Sequence, residues 1–139
     1  MIKLTNNIKN NQYLEENSKT WFDVWKLIDD FDAKHVKSDY PYQQREIEAI
    51  INNTTKALSK TTFIAKDMEL NFVQIENLLN DIIRSSENLH YHNDNKKNIL
   101  FLKTDILKDE IHRLYTKYNQ YSLREKTRHL QLAKQGVIQ

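Results

Sequence analysis

The stretch Gln43–Leu89, QQREIEAIINNTTKALSKTTFIAKDMELNFVQIENLLNDIIRSSENL, decides the fold. It contains neither Gly nor Pro. An apolar or small residue recurs every three or four positions: Ile47, Ile51, Thr54, Leu58, Thr61, Ala65, Met68, Phe72, Ile75, Leu79, Ile82, Ser86 and Leu89. That alternation is the seam of an amphipathic helix packed on other helices. Unbroken, it would be a rod of roughly 70 Å at 1.5 Å per residue. Four adjacent polar residues, Ser59, Lys60, Thr61 and Thr62, favour a bend there, so the stretch 41–89 reads as one long helix or two helices.

Composition agrees. One Gly and one Pro in 139 residues are too few for the hairpins of a β fold. The expected class is all-α: one domain over 1–139, an antiparallel bundle of three to four helices with one long central helix. No Cys is present, which removes disulfides, thiolate metal sites and Cys nucleophiles. No apolar run approaches the roughly 20 residues of a membrane span, and the amino end lacks an apolar signal core. The expectation is a cytoplasmic protein that does not engage a membrane.

Outward from the seam, residues 1–12 are Asn-rich and expected to fray. A first helix is expected over 13–37, its regular part from about Leu14 to His35. Trp21, Trp25, Ile28 and His35 form its stripe, widened by Phe22, Val24, Leu27 and Phe31. Asp29, Asp30 and Asp32 read as a solvated acidic face beside it. Ser38-Asp39-Tyr40-Pro41 interrupts the chain, because Tyr40 before Pro leaves the helical region and Pro41 suits a new first turn. The cluster Glu87–Asn95 reads as a turn. One or more basic helices follow over 96–135, with Leu100, Thr104, Leu107, Ile111, Leu114, Tyr118 and Tyr121 at helical spacing, and Gly136 ends them.

Charge is unevenly placed. Residues 1–95 hold 11 Lys and Arg against 15 Asp and Glu, whereas residues 96–139 hold 10 against 4. A basic element on a mildly acidic body seeks phosphates or acidic peptides. From Ile111 onward, Arg113, Lys117, Arg124, Lys126, Arg128 and Lys134 face a single acid, Glu125, and are interleaved with Tyr115, Tyr118 and Tyr121. Lys and Arg neutralise phosphates, exposed Tyr stacks on bases, and Arg forks grip carboxylates. Arg113 beside Leu114, with Lys117 one turn on, pairs a cationic fork with an apolar neighbour.

Two further patterns carry chemistry in other settings. Glu87-x-x-His90 and Asp109-x-x-His112 echo the Glu-x-x-His pairs of di-iron bundles, but His112 neighbours the seam and His90 sits in the turn. Arg124-x4-His129 resembles the Arg-x4-His of HEPN ribonucleases, although Glu125 would repel a phosphate there. No phosphate loop, Ser-His-Asp layout or nucleophile elbow is legible, so no catalytic residue, metal or cofactor is expected.

The order of these features resembles the PriC family of replication-restart proteins, also called primosomal replication protein N″. The resemblance runs over roughly residues 20–130. It rests on Phe31-Asp32 closing the first helical region, on the apolar spacing Ile47, Ile51, Leu58, Phe72, Leu79 and Ile82, and on Asp109-x-x-x-Arg113-Leu114 in the basic helix. Family members carry a further Arg-rich helix that has no counterpart after Arg128. The resemblance implies a non-enzymatic adaptor for replication restart. Such a protein binds the acidic, Phe-ending tail of single-stranded DNA-binding protein, single-stranded DNA and the replicative helicase DnaB, which it helps to load. Arg113 matches an Arg the family uses for the tail, with Lys117, Arg124 and Arg128 as its expected neighbours. The residues expected to meet DNA are Lys96, Lys97, Lys103, Lys126, Tyr115 and Tyr118. The competing expectations are a small helical inhibitor, antitoxin or immunity protein with one protein partner and, behind it, a HEPN-like ribonuclease.

Overall fold

The computed structural model describes residues 4–35, 42–87 and 94–134, with side chains over 12–35, 42–87 and 99–134. Four helices account for nearly all of it: α1 (Leu4–Lys34), α2 (Gln44–Lys60), α3 (Lys66–Ser86) and α4 (Asp94–Lys134). No strand occurs among the described residues.

The all-α antiparallel bundle is the architecture observed, with one difference in where its length lies. The long element is α4, with 41 residues, while the central stretch is two helices of 17 and 21 residues. The break falls at Thr61–Ala65 and includes the last two of the four polar residues. Thr61 is extended (φ −113°, ψ 154°), and both its backbone N–H and its hydroxyl donate to the Ala57 carbonyl. A hydroxyl that competes for the last-turn carbonyl ends a helix. The following Thr62-Phe63-Ile64 is β-branched or aromatic and favours extended backbone. Ala65 restarts the helix as its N-cap.

At the start of α2, the Gln43 N–H donates to Glu46 Oε1 at 2.8 Å. An acid at the third helical position thus satisfies an orphan first-turn donor. Glu46 is itself buried, and His35 Nε2 at the end of α1 lies 2.8 Å from it. This contact ties the two ends that flank the α1–α2 connection.

Helix α1 begins at Leu4, ten residues before the regular part expected from sequence, and includes most of the segment expected to fray. Low Gly and Pro content lets the helix run on through its Asn-rich start. The turn around His90, Leu89 and the Tyr40-Pro41 junction lie outside the described residues.

Each helix runs antiparallel to its neighbours. Glu15 and Ser18 on α1 meet Ser122 and Asn119 on α4, while Asp29 and Asp32 meet Lys108 farther back. On α3, Asp67 meets Tyr121 and Asp81 meets Lys103. The core runs along the shared axis through Trp21, Ile28, Ile47, Ile50, Met68, Ile75, Ile82, Leu107, Ile111 and Leu114. The expected seam residues on α2 and α3 point inward: Ile47, Thr54, Thr61, Met68, Ile75, Leu79 and Ile82 are buried, and Ile51, Leu58 and Phe72 are half-buried. Both Trp residues pack inside the molecule, Trp21 completely and Trp25 in part. No described helix is long and apolar enough to cross a membrane.

Candidate functional site: the basic helix and its two flanks

Helix α4 continues without a break through all the basic residues singled out above. At 100° per residue, Arg113, Lys117, Arg124 and Arg128 fall within roughly 60° of one another, along about 22 Å of helix. They form one stripe on the flank of α4 that meets α3.

Their states differ. Arg113 is 61 % exposed and is hydrogen-bonded to Glu110 one turn before it. Glu110 is buried, and its other oxygen accepts from Asn71 Nδ2 on α3 at 3.1 Å. The Gln74 carboxamide, with its nitrogen turned inward, reaches both Glu110 oxygens at 3.0 Å. Lys117 crosses to α3 and donates to the Asp67 carbonyl at 2.8 Å and to Asn71 Oδ1. Arg124 lies over the Tyr121 ring, 5.3 Å from its centroid. Arg128 is 61 % exposed and stands 3.8 Å from Glu125. The stripe therefore has two tethered cations near α3 and two open ones beyond its start at Lys66.

The residues expected to meet DNA do not share a face. Tyr118 requires a correction: it is fully buried, and its hydroxyl donates to the Thr62 carbonyl at 2.6 Å. Burial pushes that phenol well above its ordinary pKa. It closes the end of the core instead of stacking on bases, because its position continues the line Ile111–Leu114. Tyr115 is half-buried among other rings on the opposite flank of α4. Lys103 pairs with Asp81 at 3.5 Å, and Lys126 pairs with Glu15 on α1. Lys96 and Lys97 belong to the first turn of α4, where side chains are not described.

The acidic face of α1 also differs from expectation. Asp30 is exposed and pairs with Lys26, but Asp29 and Asp32 turn toward α4 and hold Lys108 at 2.8 and 2.9 Å. Asp32 also accepts from the buried Tyr42, whose hydroxyl stands 3.2 Å from Asp105. Burial, then the neighbouring Asp32 charge, raises the Asp105 pKa. The bond from Lys108 lowers that of Asp29. Burial opposes the Lys108 charge, but its two carboxylate partners outweigh that and hold its pKa above the usual value. This cluster was not legible because Lys108 reads in sequence as one more solvated cation.

Of the remaining motifs, Asp109 and His112 are exposed on α4 and Glu87 is exposed at the end of α3, while His90 lies outside the described residues. No group of three or more His, Asp or Glu suited to a metal occurs among the described residues. Arg124 and His129 sit on one straight run of α4, roughly 140° apart at 100° per residue, so within one chain they face different directions.

Comparison with known proteins supplies no counterpart: no family model matches the chain, and neither a curated protein nor a solved structure is significantly similar to it.

Proposed function

We propose that the protein is a non-catalytic binding adaptor that takes an extended acidic peptide along the cationic stripe of α4. The observation that carries this reading is the alignment of Arg113, Lys117, Arg124 and Arg128 on one flank of a single unbroken helix. A row of guanidinium and ammonium groups complements a run of carboxylates, and Arg forks add bidentate grip. Ile99, Leu102 and Ile106 continue the same flank toward the start of α4 and are exposed, so an apolar residue of the peptide has a place beside Arg113. The resemblance to PriC makes the tail of single-stranded DNA-binding protein the candidate peptide. It adds single-stranded DNA at the basic end and the replicative helicase as further partners, in the setting of replication restart.

The test is fluorescence anisotropy of a labelled acidic tail peptide at two salt concentrations, with a control lacking the terminal Phe. The expected result is micromolar binding that needs the Phe and weakens with salt. It should fall in both Arg113→Ala and the double variant Arg124→Glu/Arg128→Glu. No binding, or binding indifferent to the Phe, would remove the tail as ligand. A pulldown that then returned one toxin or nuclease would favour the inhibitor or antitoxin class.

A further inference from the structure

The flank of α4 opposite the cationic stripe carries a different chemistry. Four rings meet there, in the groove between α1 and α4. Phe22 lies 5.7 Å from Trp25 and 5.5 Å from Tyr115, and His112 lies 4.9 Å from Tyr115 and 6.1 Å from Trp25, measured between centroids. All four contacts are edge-to-face or tilted, the arrangement aromatic pairs prefer. Phe22 is 39 % exposed, and His112 is exposed as well. Trp25 and Tyr115 are half-buried beside them, so the group presents a partly open aromatic surface of the kind that partners cover.

The charge beside the rings is one-sided. Asp29, Asp32, Asp105 and Asp109 gather at one end of the group, where Lys108 is bonded into them, while Lys26 pairs with Asp30 beside Asp29 and Arg113 pairs with Glu110 one turn beyond Asp109. Lys108 satisfies Asp29 and Asp32, and Tyr42 donates to Asp32 and Asp105. Asp109 is exposed and neighbours both Asp105 and His112 along α4. The raised pKa of Asp105 has the same origin: partial desolvation of its carboxyl, then the like charges of Asp32 and Asp109, outweigh the bond from Tyr42 and the nearby Lys108. Lys108 also displays how a cation sits here. Its Nζ lies 5.4 Å from the centre of the Trp25 ring while it bonds two carboxylates. Ring faces and carboxylates together hold an alkyl ammonium or guanidinium better than either alone.

We propose that this aromatic and acidic groove is a second docking surface, and that its occupant is a Lys- or Arg-bearing segment of a partner protein. The segment lays a cationic side chain over Phe22, His112 and Tyr115 and pairs it with Asp109 and Asp105, repeating beside Lys108 the arrangement that Lys108 already has. The opposite sign of the two flanks of α4 lets one helix hold an acidic ligand and a basic one at once.

The test uses the full chain and a labelled peptide of alternating Arg and Ser, with a Glu and Ser peptide as control. Trp21 is fully buried, so a change in tryptophan emission on binding reports Trp25. The expected result is saturable binding of the Arg peptide with a change in emission. Affinity should fall about tenfold in Asp109→Lys, as expected when a rim charge is reversed, and by a similar factor in Phe22→Ser. Both positions are exposed, and matching circular dichroism melts would show that the variants fold. The double variant Arg124→Glu/Arg128→Glu should leave this affinity unreduced, which separates the groove from the cationic stripe. Absence of saturable binding overturns the proposal. Loss in Asp109→Lys with no change in Phe22→Ser also overturns it, since that outcome is diffuse attraction between charges.

Discussion

Trp21 on α1 donates its indole N–H to Thr61 Oγ1, 3.0 Å away, at the break between α2 and α3. The same hydroxyl donates to Ala57, so one side chain ends a helix and satisfies the largest buried residue of the core. Thr61→Val keeps the shape but removes the acceptor. A buried N–H without a partner costs about 1–3 kcal/mol. Urea unfolding should show that loss with an unchanged m-value, and Thr61→Ser should recover most of it.

Asp105 gives a pH dependence of definite sign. Its folded-state pKa is raised, first by burial and then by Asp32, so the folded protein binds this proton more tightly than the unfolded chain. Its contribution is favourable at acid pH and is lost as pH rises through the raised value. Asp29, lowered by Lys108, works in the opposite sense: its contribution is present above the ordinary carboxylate range and is lost as pH falls. Asp105→Asn should therefore raise the melting temperature at neutral pH. The gain should be about 2 °C or less, because the carboxyl keeps access to water. The gain should disappear at about pH 4, near the ordinary Asp pKa, which melts at several pH values would check.

Lys108 bonds both Asp29 and Asp32, and its side chain is 18 % exposed. Lys108→Met keeps the stem against Trp25 and leaves two carboxylates one turn apart on α1 without the ammonium they share. Destabilisation of about 2 kcal/mol is expected, below the value for a fully buried pair because Asp29 is partly open to water. Adding Asp32→Asn should return part of it, and a double-mutant cycle measures the coupling.

Glu110 competes with any acidic ligand for Arg113. Glu110→Gln keeps the shape and the contact with Asn71 while removing the charge. It should strengthen binding of the tail peptide by about two- to threefold, the value of freeing the exposed Arg113 from one ion pair. Anisotropy at low salt reads this directly. An unchanged affinity would place the peptide away from Arg113, toward Arg124 and Arg128.

The sequence made the helices legible because the 3/4 periodicity of Ile47 to Ile82 leaves few alternatives in a chain nearly free of Gly and Pro. It also placed the break, since Ser59 to Thr62 interrupt that periodicity with groups that bond the backbone. It did not place the length of α4, because Ser122 looks like a stop until Glu15 is known to lie opposite it. The site was harder. Tyr118 and Tyr115 differ by three residues and look alike in sequence, yet one is core and the other faces the α1 groove. Periodicity assigns a residue to the inner face, but only the neighbouring helix decides which outer flank it joins. Lys108 and Lys117 are likewise lysines on a basic helix in sequence, and each proves to be a crosslink to another helix, α1 or α3.

The principal helix pair joins the first element of the chain to the last, with Ser18 bonded to Asn119 across 101 positions. A contact this distant cannot form until α4 has left the ribosome. The α2–α3 hairpin closes over a few residues and can form far earlier. Synthesis thus delivers α1 with Ser18 and the Trp25 side of the helix uncovered, and they stay so until α4 arrives. The closing step carries a large loop-closure entropy, which slows folding relative to bundles built from sequential hairpins alone. Moving the chain ends by circular permutation, so that α4 leads directly into α1, would make the same interface local and should speed refolding while leaving the core unchanged.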